Sequence, residues 1–170
     1  MHALATYRDA ARTVVLAFKE RGRRDLAHPL GRLLATVLPT LDDAEPPDGT
    51  WWLIPAPSRP AAARRRGGSH MLALARATAG QLARKNHRVA VAPALRLARG
   101  TKDSAGLNAA ERIANLRGRV TVDPRGAPPA GTTAILLDDV VTTGATVAAC
   151  TDALRQERID VSAVLALTAT

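Results

Sequence analysis

The sequence predicts an α/β fold, a mostly parallel, doubly wound sheet with helices at its amino end. Three observations carry that expectation. Short apolar runs at Trp51 to Ile54, Val89 to Val91, Ala134 to Leu137 and Val161 to Leu167 have the length and uniformity of strands buried on both faces. Segments with helical spacing of apolar residues alternate with them. Finally, Asp138 and Asp139 follow one of those runs directly, at the carboxyl end where open α/β sheets bind ligands.

The elements follow in chain order. From Ala3 to Arg21, Leu4, Tyr7, Ala11, Val14, Val15 and Phe18 fall at three- and four-residue steps, which predicts an amphipathic helix ended by Gly22. Asp25 to Leu38 predicts a second helix, with Leu26, Leu30, Leu33, Leu34 and Val37 inward and Pro39 as its stop. An acidic, proline-containing connection leads to the strand at Trp51. Then comes P-A-P-S-R-P-A-A-A-R-R-R-G-G-S-H, whose prolines forbid regular helix at its start. A helix is expected from about Met71 to Lys85 and a strand at Val89 to Val91. Arg96 to Asp103 reads as a mobile basic loop, Leu107 to Leu116 as a short helix, and Val120 with Val122 as a strand. Asp123 to Gly131 is rich in proline and glycine and predicts a turn. The acidic-pair strand, a helix over Val147 to Arg158 and a last strand from Val161 complete the pattern. Residues 1–170 are expected to form a single domain, with a helical segment over 1–45 packed on it.

Composition narrows the function classes. The 170 residues are 46% hydrophobic with moderate charge, which predicts a soluble globular domain with a real core. No apolar run approaches the roughly 20 residues that span a bilayer, and the amino end lacks a secretory pattern. The expectation is a cytoplasmic protein without membrane insertion. A single cysteine, Cys150, leaves no internal disulfide and no cysteine-built zinc site. The formal net charge of +9 suits polyphosphates or nucleic acid, and equally an arginine-rich composition. With four aromatic residues (Tyr7, Phe18, Trp51 and Trp52), stacking platforms for single strands are scarce.

The chemistry concentrates in A-I-L-L-D-D-V-V-T-T-G-A-T, Ala134 to Thr146. Carboxylates at a strand end can accept hydrogen bonds from vicinal hydroxyls such as those of ribose, directly or through a divalent cation. The small and hydroxylated residues Thr142, Thr143, Gly144, Ala145 and Thr146 can converge N–H and O–H donors on one anion at a helix start. Gly144 supplies close approach and a positive φ if the turn needs one. An ordinary strand-to-helix turn with capping Asp and Thr is the competing reading. A nucleotide P-loop is excluded, since G-x-x-x-x-G-K-[S/T] occurs nowhere.

This stretch resembles the phosphoribosyl pyrophosphate (PRPP) loop of type I phosphoribosyltransferases. F-K-E-R-G-R-R-D-L-A-H-P-L-G, P-A-P-S with the basic run after it, and R-G-T-K-D-S-A-G-L-N-A-A-E-R-I-A-N-L-R-G are similar to the competence-associated ComF-like branch. Many relatives there carry a four-cysteine zinc module, which this sequence lacks. Ser104 and Gly68 to His70 also depart from the pattern, which bears on substrate selection. His70 reads as a capping or packing residue.

The resemblance implies a Rossmann-like type I phosphoribosyltransferase fold and a glycosyltransferase of nucleotide metabolism, using PRPP and Mg²⁺ and releasing pyrophosphate. It implies substrate-binding roles for Val141 and for Thr142 to Thr146 at the 5′-phosphate. Asp138 and Asp139 become the catalytic and metal-holding pair. Pro57, Ser58, Arg59, Arg99 and Lys102 would face the pyrophosphate. A homodimer is compatible with it. Two other classes stay open: a non-catalytic competence partner binding single-stranded DNA through Arg64 to Arg66, and a regulator that senses PRPP without turning it over.

Overall fold

A computed structural model describes residues 1–58, 68–98 and 118–170. Arg59, Arg64 to Arg66, Arg99, Lys102, Ser104 and the helix expected at Leu107 to Leu116 lie outside the described residues.

The described elements are β1 (His2–Thr6), α1 (Asp9–Lys19), α2 (Ala27–Val37), β2 (Thr50–Pro55), α3 (His70–Arg84), β3 (Arg88–Val91), β4 (Leu95–Leu97), β5 (Val120–Val122), β6 (Thr133–Val141), α4 (Ala145–Gln156) and β7 (Asp160–Ala169). Five strands form one sheet in the order β1-β7-β6-β2-β3, and every neighbouring pair is parallel. The expected α/β class therefore holds.

The central strand β6 is apolar on both faces, and its pleat sends successive side chains to opposite sides. Ile135 and Leu137 enter a core with Val15 and Phe18 of α1, Leu30 and Leu34 of α2, and Met71 and Leu74 of α3. Ala134 and Leu136 enter a second core with Cys150 and Leu154 of α4 and Val120 of β5. Among the described elements, α1, α2 and α3 thus cover one face and α4 the other. This alternation positions the site, because it continues into Asp138 and Asp139.

The structure corrects four sequence expectations. The helix expected at Ala3 begins only at Asp9, and His2–Thr6 is instead an edge strand paired with β7. The 1–45 segment is therefore not wholly helical. Its apolar steps at Leu4 and Tyr7 fit a helix locally, but parallel pairing along β7 satisfies the backbone in the extended form. Leu33, expected inward on α2, is 53% exposed, while Ala35 and Gly31 take the buried stripe. Val120 and Val122 do form a strand, but it pairs antiparallel with β4 in a separate ribbon. Arg96 belongs to that ribbon, not to the mobile loop expected there, and pairs with Asp123 at 3.1 Å. Finally, the strand expected to stop at Leu137 runs on to Val141.

Candidate ligand site at the acidic pair

Asp138 and Asp139 lie within β6, opposite the last residues of β7: Asp138 is in register with Ala166, and Val140 with Thr168. The neighbour on the other side, β2, ends at Pro55 in register with Leu137. β6 thus projects past β2 by Asp138 to Val141. The Ala56 N–H still donates to the Leu137 carbonyl at 2.8 Å, so the turn after β2 starts beside the carboxylates.

Pleat parity separates the two side chains. Asp139 continues the Ile135–Leu137 face and meets α1 and α3. Its Oδ1 accepts from Lys19 Nζ at 2.9 Å, and its Oδ2 accepts from His70 Nε2 at 2.6 Å. Because a carboxylate only accepts, His70 carries hydrogen on Nε2. Phe18 meets the His70 ring edge-on at 5.4 Å, and His70 Nδ1 has no partner among the described residues. Asp138 continues the Ala134–Leu136 face toward α4. Its Oδ1 accepts from the Asp139 N–H at 2.8 Å, and among the described residues its other oxygen has no protein partner.

Both carboxylates are nearly buried, with 6% and 4% exposure, but their electrostatics diverge. Burial pushes Asp138 up, the neighbouring Asp139 charge adds to that, and the carboxyl reaches about 7. Burial also pushes Asp139 upward, but the hydrogen bonds and charges of His70 and Lys19 together more than offset it, leaving about 2. Burial lowers the Lys19 ammonium, but the charge and hydrogen bond of Asp139, with the charges of Asp138 and Glu20, leave it raised above its ordinary value. Burial, and then the charge of Asp138, raise the Cys150 thiol, so this buried cysteine stays a protonated core residue.

Beyond Val141, which is buried, Thr142 and Thr143 are exposed and lead to Gly144. Gly144 sits at φ 73°, ψ 1°, as the cap residue of α4, with no side-chain capping bond. The first N–H groups of α4 therefore have no intrahelical acceptor. A Cβ at Gly144 would meet open space, so the left-handed backbone alone demands glycine there. Gly144→Ala should cost about 1 kcal/mol of stability in urea denaturation. An unchanged midpoint would show that the turn relaxes to another conformation.

The turn after β2 is joined to this constellation. Ser58 Oγ lies 3.2 Å from Ser69 Oγ, and Ser69 caps α3 by accepting from the Leu72 N–H. His70, next in the chain, reaches Asp139. Ser58 and the acidic pair thus belong to one bonded chain of groups, while Pro57 stands half-buried beside Ser58. Arg24 holds the far end of this segment by donating to the Gly68 carbonyl at 2.8 Å.

Two residues escaped sequence reasoning. Lys19 lies in F-K-E-R-G-R-R-D-L-A-H-P-L-G with no local signal of a role, and the sequence marks His70 only as a capping or packing residue. They reach Asp139 across 120 and 69 positions, so no local spacing announces them. A groove of about 380 Å³ lined by Trp51, His87 and Arg88 lies at the opposite, amino-terminal ends of β2 and β3.

No family model and no curated protein matches this chain. Solved structures of hypoxanthine phosphoribosyltransferases are similar to it. A Trypanosoma cruzi point mutant complexed with the product IMP is 16% identical, with a TM-score of 0.44, covering 84% of this chain and 64% of that one. A Staphylococcus aureus enzyme is 12% identical, with a TM-score of 0.40, covering 89% and 65%. An alanine mutant at an invariant aspartic acid in HPRTs gives 16% and 0.47, covering 84% and 67%. The chain spans about two thirds of the length of these proteins. These are likenesses of fold, and activity does not come with them. Among the described residues, no helix is long and apolar enough to cross a membrane.

Proposed function

We propose that this protein binds PRPP with Mg²⁺ and transfers its phosphoribosyl group to a nitrogen nucleophile, a nucleobase or ammonia, releasing pyrophosphate. The observation that carries this reading is D-D-V-V-T-T-G-A-T running from the end of β6 into the uncapped start of α4. A ribose 5-phosphate fits that arrangement: dianion at the turn, hydroxyls at the carboxylates.

The residues act mainly by positioning. Thr142 to Thr146 and the first N–H groups of α4 would anchor the 5′-phosphate. The acidic pair would take the ribose hydroxyls and stabilise positive charge as the bond at C1 lengthens. Pro57 and Ser58 belong to the pyrophosphate side, and Arg59, Arg99 and Lys102 are proposed from sequence to balance its charge.

The donor set fits Mg²⁺. Among the described residues no cluster of three or more His, Cys, Asp or Glu makes an all-protein cage. Magnesium instead favours one or two carboxylates together with substrate phosphates, and Asp138 has an oxygen to give. Bound there, the ion would neutralise charge on the departing pyrophosphate.

Calorimetric titration of PRPP with Mg²⁺ tests the reading, followed by a screen of bases and ammonia for pyrophosphate release. Saturable binding that is lost when Asp138 and Asp139 are both changed to Asn is the expected result. A folded wild-type protein that gives no heat would refute it and favour the DNA-binding class. Binding without release for any acceptor would favour the PRPP-sensing regulator.

A further inference from the structure

This inference rests on the reading of the acidic pair as a PRPP site and sharpens it. We propose that the two carboxylates have divided roles: Asp138 takes the ligand, and Asp139 is a positioning residue held inside the protein by Lys19 and His70.

Asp139 has each oxygen engaged by a separate donor, at 2.9 and 2.6 Å, and both bonds gain from charge. A cation approaching it meets the Lys19 ammonium already in place. A ribose hydroxyl would have to displace one of two close partners in a pocket where Asp139 is 4% exposed. Asp138 is buried to the same degree, at 6% exposure, and differs in its partners. It has a single protein partner among the described residues, a spare oxygen, and the face of β6 that looks toward α4, whose start forms the anion turn.

The two are nevertheless coupled. The Asp139 N–H fixes Asp138 Oδ1 at 2.8 Å, so a rigid Asp139 sets the direction of the free oxygen. The anchors of Asp139 come from two helices: Lys19 ends α1 and His70 begins α3. Lys19 and His70 thereby serve the site without touching the ligand.

Separate Asp138→Asn and Asp139→Asn variants decide the matter, titrated with PRPP in the presence and absence of Mg²⁺ and melted in parallel. Asp138→Asn should weaken PRPP binding by roughly 100-fold and remove its Mg²⁺ dependence, while staying folded. Asp139→Asn should melt lower, keep the Mg²⁺ dependence and bind within roughly fivefold of wild type. Mg²⁺ dependence is a readout that a merely structural role would not move. If Asp139→Asn fails to fold, Lys19→Gln replaces it with the same expectation, since His70 still holds the carboxylate.

The proposal is overturned if either folded variant loses affinity and Mg²⁺ dependence as fully as Asp138→Asn, or if Asp138→Asn binds like wild type. A folded wild type that does not bind PRPP at all refutes the site reading itself. That result is distinct from either pattern among the variants.

Discussion

Gly31→Ala should lower the melting temperature and Gly80→Ala should raise it, although both glycines lie inside helices. By helix propensity alone each change should gain about 1 kcal/mol. Gly80 follows that rule, because it is exposed on α3 and a Cβ there meets nothing within 4 Å. Gly31 is where α2 crosses α3. A Cβ on it would come within 2.8 Å of Ala77 Cβ and of the Thr78 backbone nitrogen, and 2.9 Å of the Ala77 carbonyl carbon. Backbone atoms cannot rotate away, so the helices must separate. They share a buried seam that includes Leu34, Leu74 and Ala75. Overpacking of this kind costs about 3 kcal/mol, or roughly 10 °C in a domain of this size, and outweighs the propensity gain. Thermal melts of the two variants beside wild type check it. Equal shifts in both would mean that α2 and α3 do not pack at this glycine.

The second large effect depends on pH. Asp138 is raised to about 7 in the folded protein, above its ordinary value of 3.8. Below pH 4 it is protonated in both states and contributes nothing. Between pH 4 and 7 the unfolded chain ionises while the folded one holds its proton, so stability falls as pH rises. Above 7 the penalty is complete, at about 4 kcal/mol as an upper bound. Asp138→Asn removes it. The variant should melt higher than wild type at pH 8, by up to roughly 15 °C, and show little difference at pH 4.

Asp139 has the opposite sign. Lowered to about 2, it contributes stability that is fully present above pH 4 and is lost as pH falls through 2. Asp139→Asn should therefore destabilise at pH 8, where its neighbour's substitution stabilises. Melting curves of both variants from pH 4 to 8 test the contrast, and parallel curves would show that the carboxylates share one environment. A residue whose removal stabilises the fold is the kind that a binding site retains at a cost.

The sequence made the class of fold legible because it is written in short-range patterns. Apolar runs bounded by turn residues gave β2, β3, β6 and β7, and helical spacing gave α2, α3 and α4 to within a turn. β1 was illegible, since Leu4 and Tyr7 fall at a helical step, and only pairing with β7 draws His2–Thr6 into a strand. The far end of β6 was underestimated because carboxylates disfavour strands in isolation, whereas pairing with β7 overrides that preference. The Thr142–Thr146 turn and the acidic pair were visible as a local motif. The bonds of Lys19 and His70 to Asp139 were not, since they come from elements far away in sequence. Their consequence, that adjacent aspartates are chemically unlike, appears only in three dimensions.

The pairing of β1 with β7 also has a kinetic side. His2 lies in register with Leu165, so β1 can pair only once β7, far along the sequence, is in place. Until then His2–Thr6 has no edge to join, and α1, with Lys19 at its end, has no completed sheet to rest on. Contacts of such long sequence separation are closed late and slowly. Assembly therefore need not follow the order of the elements: β2, β3, α3 and β6 can condense first, and β1 docks after β7.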